Sequence, residues 1–203
     1  MNEPILIMAM PRSGSSMIAG IFAAHGVWVG NHKAGGRNPK GSFENTALRN
    51  LVMMLYDGKG LVERGETAHS IQTFRMLVES AIEADGYKGG PWLWKGSAMY
   101  WPAWHQFEPK WIVCRRELDA VLRSSLDPPY VYGRLLADAV RRIIERHEAQ
   151  LNVLVGKGAL EVDTAAVVSG DYTTIKAAIE DCGLAFDEDA TRAFVDPTQW
   201  HYR

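Results

Sequence analysis

The residues with the clearest chemical signature form a short polar loop near the N-terminus. The loop Pro11-Arg12-Ser13-Gly14-Ser15-Ser16 follows the apolar run 5–10 and precedes a segment with helical spacing. Backbone N–H groups in the first turn of a helix have no intrahelical partner and lie at the positive end of the helix dipole. Small residues let an anion approach these groups, and Arg12 adds a positive charge. The loop therefore predicts a site for phosphate or sulfate.

This loop lacks the residues of a Walker A motif. That motif, GxxxxGK[ST], supplies a lysine for the β- and γ-phosphates and a hydroxyl group for Mg²⁺. Here one glycine, Gly14, stands between serines, and the basic residue Arg12 precedes them. We therefore expect the loop to hold a phosphate or a sulfate group and not a metal-bridged triphosphate.

Basic residues also follow two other predicted strands. Lys95 comes after the tryptophan-rich run 91–94, and Arg115-Arg116 comes after the apolar run 110–114. In an open parallel sheet, ligands bind beyond the carboxyl ends of the strands. If the three strands are neighbours, Arg12, Lys95 and the arginine pair converge on one ligand that carries several anionic groups.

The elements that must position these residues alternate between strand and helix. Such alternation predicts an α/β fold: one domain over residues 1–203, with a mostly parallel β-sheet flanked by helices. The predicted strands cover residues 5–10, 27–29, 91–94, 110–114 and 159–162. The predicted helices cover residues 17–25, 44–56, 68–84, 117–125, 130–155 and 172–182.

Composition excludes several classes of partner. With 47% hydrophobic and 23% charged residues, the chain is typical of globular proteins, and a formal net charge of -2 gives no reason to expect nucleic acid or an anionic membrane. Two cysteines without metal-ligand spacing predict neither a disulfide framework nor a metal site. No apolar run approaches the roughly 18 residues of a membrane span, and we expect a cytoplasmic protein.

Two motifs taken together resemble those of sulfotransferases that use 3′-phosphoadenosine 5′-phosphosulfate (PAPS). The segment Pro11 to Met17 resembles the 5′-phosphosulfate loop of that family. The strand Lys110 to Arg116, with Ser124 eight residues after its last arginine, resembles the family's 3′-phosphate site. The segment Asn38 to Glu44 is similar to one in small bacterial members. The resemblance extends from the first strand to about residue 125, with a weaker similarity over residues 159–184.

The resemblance implies a P-loop-like α/β fold and transfer of a sulfuryl group from PAPS to a hydroxyl or amine. The acceptor would be a small molecule or a carbohydrate, and no metal is implied. Arg12 would stabilise the departing bridging oxygen, and Arg116 and Ser124 would hold the 3′-phosphate. The 5′-phosphate would be bound by the remaining loop residues, Ser13, Gly14, Ser15, Ser16 and Met17.

The base that takes the acceptor's proton is less directly indicated. Some family members have a histidine two residues after the strand-end lysine, but this chain has Ser97 there. Other branches use a glutamate soon after the first helix, and Glu44 occupies that place. Lys95 would then stabilise charge near the sulfate. His32 and His105 are weaker candidates.

Other interpretations remain open at this level. A P-loop kinase or nucleotide phosphotransferase would share the strand-loop-helix geometry, and a non-catalytic nucleotide-binding module would keep the donor site without turnover. Helix dipoles alone favour an acid such as Glu44 at a helix start. The aromatic tail 194–203 is a candidate cover for the nucleotide. The oligomeric state cannot be derived from these patterns.

Overall fold

A computed structural model of the chain describes residues 3–32, 39–54, 56–57, 60–61, 68–127 and 137–200. Its strands are β1 (Ile5–Ala9), β2 (Tyr56–Asp57), β3 (Gly60–Leu61), β4 (Leu93–Ser97), β5 (Lys110–Arg115) and β6 (Leu160–Asp163). Four of them form an all-parallel sheet in the order β4-β1-β5-β6, while β2 and β3 pair antiparallel. The chain is thus a single α/β domain, as predicted.

Helices cover both faces of the parallel sheet. They are α1 (Ser15–Ala24), α2 (Thr46–Met54), α3 (Ala68–Ala84), α4 (Trp101–Trp104), α5 (Leu118–Leu126), α6 (Ala137–Gly156), α7 (Thr164–Ser169), α8 (Thr173–Asp181) and α9 (Glu188–Phe194). Short 3-10 turns lie at Ala98–Tyr100, His105–Phe107 and Pro197–Gln199. Among the helices of the described part of the chain, none is long and apolar enough to cross a membrane.

The central strand β1 is buried along its whole length because both of its faces meet helices. Leu6 and Met8 point into a core formed with α2, α3 and α6, whereas Ile5, Ile7 and Ala9 point into a second core formed with α1 and α8. A strand of a parallel sheet covered on both faces reads as a continuous apolar run. This explains why the apolar run 5–10 predicted β1 so clearly.

The strand register brings three chain segments to the same edge of the sheet. Ala9 pairs with Ser97 of β4 on one side and with Cys114 of β5 on the other. The loop after β1 therefore leaves the sheet level with the ends of both neighbouring strands. The three strands are neighbours, which was the condition for their basic residues to converge. The predicted end of the tryptophan-rich strand is wrong, however: β4 runs to Ser97, so Lys95 lies within the strand and pairs with Ile7.

Several predicted boundaries differ from the structure. The strand predicted at 27–29 is reduced to one bridge between Trp28 and Trp92, a short extension beyond β4 at the sheet edge. The helix predicted from Glu44 begins instead at Thr46, because the side chain of Asn45 accepts from the Leu48 N–H and caps the first turn.

Other elements were not predicted or lie partly outside the described residues. The long helix predicted over 130–155 is described from Ala137, and the part over 130–136 lies outside the described residues. The short helices α7 and α9 were missed, although the side chains of Asp163 and Asp187 cap their first turns. Both are too brief for an apolar period to stand out.

Candidate functional site

A cavity of about 460 Å³ opens at the edge of the sheet where β1, β4 and β5 end. Its size is in the range of small-molecule sites. Most of the residues predicted for the site line it: Arg12, Gly14, Ser15, Ser16, Met17, Glu44, Lys95 and Arg116. Two predicted residues, Ser13 and Ser124, do not line it.

The floor of the cavity is the N-terminus of α1. Gly14 precedes the helix with a φ of 83°, and its carbonyl oxygen accepts from the N–H groups of Met17 and Ile18 at 2.9 and 3.4 Å. No side chain of the described residues caps this helix. The N–H groups of Ser15 and Ser16 come before these bonds and have no partner among the described residues, so they are open to a ligand.

Arg12 adopts a left-handed backbone conformation, with a φ of 68°. This region costs a residue with a Cβ atom roughly 1–2 kcal/mol. The Arg12 Nε donates to Ser124 Oγ at 2.9 Å, and the Arg12 carbonyl oxygen accepts from Arg116 Nη1 at 2.9 Å. These two bonds, one with Ser124 of α5 and one with Arg116 just after β5, hold the loop in its strained form.

The two predicted residues outside the cavity wall support the loop. Ser13 is fully buried, and its hydroxyl donates to the carbonyl oxygen of Met10 at 2.8 Å. Ser124 is also fully buried and meets the Nε of Arg12. The sequence predicted that Ser124 lies beside Arg116, whereas in the structure the Ser124 hydroxyl contacts Arg12.

Arg116 is a buried cation among other cations. Burial, followed by the charges of Arg12 and Arg123, lowers the pKa of its guanidinium. An arginine keeps its charge in proteins, so this environment favours an anion nearby. The indole of Trp200 lies over the guanidinium, with 4.1 Å from Cζ to the ring centroid.

Lys95 and Glu44 form an ion pair across the cavity wall. The Nζ of Lys95 lies 2.7 Å from Glu44 Oε1 and 3.3 Å from Ser16 Oγ. The Lys95 side chain is 6% exposed and that of Glu44 is 40% exposed. The ammonium group of Lys95 is therefore desolvated, and the Glu44 carboxylate that binds this group faces the cavity.

Sequence reasoning missed a contact between Ser97 and His147. Ser97 Oγ lies 2.9 Å from His147 Nε2, and Ser97 also lines the cavity. A signal existed: His147 stands on the buried stripe of α6, with Val140 and Ile144 before it and Leu151 after it, at spacings of three and four residues. A histidine on an apolar stripe needs a polar partner inside the protein.

The C-terminal segment folds back onto the site, as the sequence suggested. Phe194 packs so closely on α1 that a Cβ at Gly20 would lie 2.0 Å from its ring. Lys40 donates to the Phe194 carbonyl oxygen at 2.5 Å. Trp200 lines the cavity and would lie 2.6 Å from a Cβ at Gly14. The tail beyond Trp200 lies outside the described residues.

The weaker candidates lie elsewhere. His32 stacks on Phe43 with ring centroids 4.4 Å apart, and His105 is exposed next to Trp101; neither lines the cavity. Arg115, which the sequence grouped with Arg116, bonds to Glu148 and Glu161. Among the described residues, no group of histidine, cysteine and acidic side chains could hold a metal ion.

The cavity wall carries more positive than negative charge. Five of its side chains are basic and two are acidic: Arg12, Lys40, Arg49, Lys95 and Arg116 against Glu44 and Asp196. An anionic ligand is therefore favoured.

Comparison with known proteins does not assign the chain to a family. No protein-family model matches the chain, and no curated protein matches it significantly.

Proposed function

We propose that the protein transfers a sulfuryl group from PAPS to a hydroxyl or amine of a small-molecule or carbohydrate acceptor. The observation that carries this proposal is the convergence of Arg12 after β1, Lys95 within β4 and Arg116 after β5 on the uncapped start of α1. A ligand with separate anionic groups fits this arrangement, because the three cations belong to three separate segments of the cavity wall.

The donor would occupy the end of the cavity that we call the donor end: Arg12, the segment 14–17, Arg116 and Trp200. The N–H groups of Ser15 and Ser16 bind the 5′-phosphate, and Arg116 binds the 3′-phosphate as a planar fork. Ser124 acts on this end through Arg12, whose guanidinium it orients.

Transfer would take place at the acceptor end, which we define by Glu44, Lys95, Ser97 and Tyr100. The acceptor oxygen or nitrogen attacks sulfur in line, and the bond between sulfur and the bridging oxygen breaks. Arg12 and Lys95 stabilise the negative charge that forms on the leaving adenosine 3′,5′-bisphosphate (PAP). Glu44 takes the acceptor's proton, since its carboxylate is 40% exposed and lines the cavity.

The 3′-phosphate provides the sharpest test of the proposal. We expect calorimetry in EDTA to give PAP an affinity about a hundredfold higher than that of ADP, because a charge-assisted contact contributes about 1.5–3 kcal/mol. The persistence of binding in EDTA tests the metal-free assignment. PAP binding no tighter than ADP would overturn the proposal, and tight binding of ATP only with Mg²⁺ would favour a phosphotransferase instead.

A further inference from the structure

One pair of polar residues at the cavity has no part in the transfer described above. Ser97 ends β4 and lines the cavity, while His147 of α6 is only 6% exposed and contacts Ser97 Oγ through Nε2 at 2.9 Å. A buried histidine bonded to a hydroxyl group at a cavity wall constrains the direction of that hydroxyl's proton.

The second ring nitrogen decides this direction. His147 Nδ1 lies 2.8 Å from the carbonyl oxygen of Ile143, and a carbonyl oxygen only accepts hydrogen bonds. The proton of the neutral ring is therefore on Nδ1, so Nε2 accepts and the Ser97 hydroxyl donates. Burial lowers the pKa of His147, which favours this neutral ring.

The oxygen of Ser97 is thereby limited to accepting. Its single proton points to His147, and the oxygen also accepts from the Met99 N–H at 3.2 Å. A hydroxyl oxygen can accept two hydrogen bonds. Within the part of the chain that the structure describes, one acceptor position is thus left for a ligand in the cavity, and the residue has no proton to offer that ligand.

We propose that Ser97 selects acceptors that carry an O–H or N–H donor beside the group that receives the sulfuryl. This inference rests on the proposed function. Lys95 and Ser97 are two residues apart on β4, a Cα separation of about 6.6 Å. A small molecule that reacts near Lys95 can therefore carry a second O–H or N–H group that reaches Ser97. The acceptor class is therefore a polyol, sugar or amino alcohol, and an ether in place of the second donor is disfavoured.

His147 is a positioning residue in this scheme. An ether oxygen placed against Ser97 Oγ would bring two hydrogen-bond acceptors together. Because Ser97 Oγ would then have no donor from the ligand, the site should discriminate strongly against the ether and in favour of an O–H or N–H group. Without His147, the hydroxyl could rotate and donate to the ether. Discrimination should then disappear although Ser97 itself is intact.

The experiment compares ethylene glycol with 2-methoxyethanol as acceptors at equal concentration and saturating PAPS. We expect the wild-type protein to consume PAPS at least about tenfold faster with the glycol, the water-dependent rate being subtracted. Ser97→Thr should keep this preference because it keeps the hydroxyl. Ser97→Ala and His147→Leu should both bring the ratio of the two rates close to the statistical value of about two, because the glycol has two equivalent hydroxyl groups and 2-methoxyethanol has one. PAP affinity, measured for every variant, checks that the donor end is folded.

A second readout does not depend on turnover. Nitrogen-15 NMR of the PAP complex at pH 7.5, with the His147 signals identified by their loss in His147→Leu, should give the neutral ring protonated at Nδ1. A ring protonated at Nε2, or at both nitrogens, would overturn the inference because Ser97 could then donate to the ligand.

These measurements distinguish a failure of this inference from a failure of the proposed function. If PAP does not bind, the proposed function fails and this inference falls with it. If PAP binds but the glycol reacts no more than about twofold faster, including no reaction with either probe, the inference is overturned and the donor site stands. Preference for the glycol beyond this statistical factor that survives in His147→Leu also overturns it, since the positioning role would be absent.

Discussion

The donor end and the acceptor end of the cavity are built in different ways. At the donor end, most of the residues belong to one run, the loop after β1 and the start of α1, to which Arg116 and Trp200 are added from distant segments. At the acceptor end, Glu44, Lys95 and Ser97 belong to two distant segments, and Ser97 depends on His147 of a third. The first end is mostly local in sequence, and the second exists only in the folded chain.

This difference predicts different consequences of mutation. Backbone N–H groups at a helix start cannot be removed by changing side chains, so single substitutions at the donor end should weaken nucleotide binding in steps. In the pair of Lys95 with Glu44 only the lysine is buried, so removing Glu44 leaves a desolvated ammonium group without its carboxylate. Substitutions at the acceptor end should therefore affect turnover more than donor affinity.

The largest effect is expected for Glu44→Gln. The amide can still accept from Lys95 but cannot take a proton, so we expect kcat to fall by about 10²–10⁴-fold with PAP affinity nearly unchanged. Single-turnover kinetics and calorimetry measure the two quantities. Glu83→Gln, an exposed carboxylate on α3, is the matched control. Retained turnover in Glu44→Gln would remove Glu44 from the mechanism.

Arg116→Gln tests the donor end. We expect PAP affinity to fall by about a hundredfold and ADP affinity to fall less, because the contact with the 3′-phosphate is lost for PAP alone, whereas the bond from Arg116 to the Arg12 carbonyl oxygen is lost for both nucleotides. Arg123→Gln removes a nearby but exposed positive charge and serves as the control. Equal losses of PAP and ADP affinity would place Arg116 elsewhere on the nucleotide.

Trp200→Ala should have a smaller effect on the same end. Loss of the indole that covers Arg116 at 4.1 Å is expected to weaken PAP binding about tenfold, which corresponds to about 1.4 kcal/mol. Trp200→Phe keeps an aromatic face and should lose less. Unchanged PAP affinity in Trp200→Ala, or after deletion of residues 199–203, would show that the C-terminal segment contributes nothing to the donor end.

The smallest effect concerns stability and pH at the acceptor end. Burial lowers the pKa of His147 below the ordinary 6.5, so the unfolded chain takes up the proton first as the pH falls. The free energy of unfolding should therefore decrease below about pH 6.5 until the folded-state pKa is passed. Urea unfolding should show a weaker decrease from pH 7.5 to 5 in His147→Leu, whereas His105→Leu, at an exposed position, should behave like wild type. An identical decrease in His147→Leu would contradict the buried neutral ring.

The fold was largely predictable because its central elements are long or fully buried. Helix α3 has the predicted bounds Ala68–Ala84, and β1 and β5 each differ by only one residue from the apolar runs that predicted them. Short elements escaped prediction, since α7 has only six residues and owes its start to the side chain of Asp163. A run of that length contains too few positions for its period to be recognised.

The candidate site was predictable to a different degree at its two ends. The loop and Arg116 follow predicted strands, and the parallel arrangement alone implies that they share an edge. The hydrogen bond from Arg12 to Ser124 and the position of Trp200 over Arg116 depend on the packing of distant segments. No local pattern of residues encodes such contacts.

The sequence by itself determined the parallel α/β core, the loop that precedes α1 and which basic residues lie on or after its strands, because apolar period, glycine and charge act over short distances along the chain. Only the tertiary structure decided that Lys95 holds Glu44, that His147 orients Ser97 and that Trp200 covers Arg116. These pairs join residues tens of positions apart, and their partners are selected by the packing of helices on the sheet. Burial then gives each contact its strength, since a charge or hydroxyl removed from water must find its partner inside the protein.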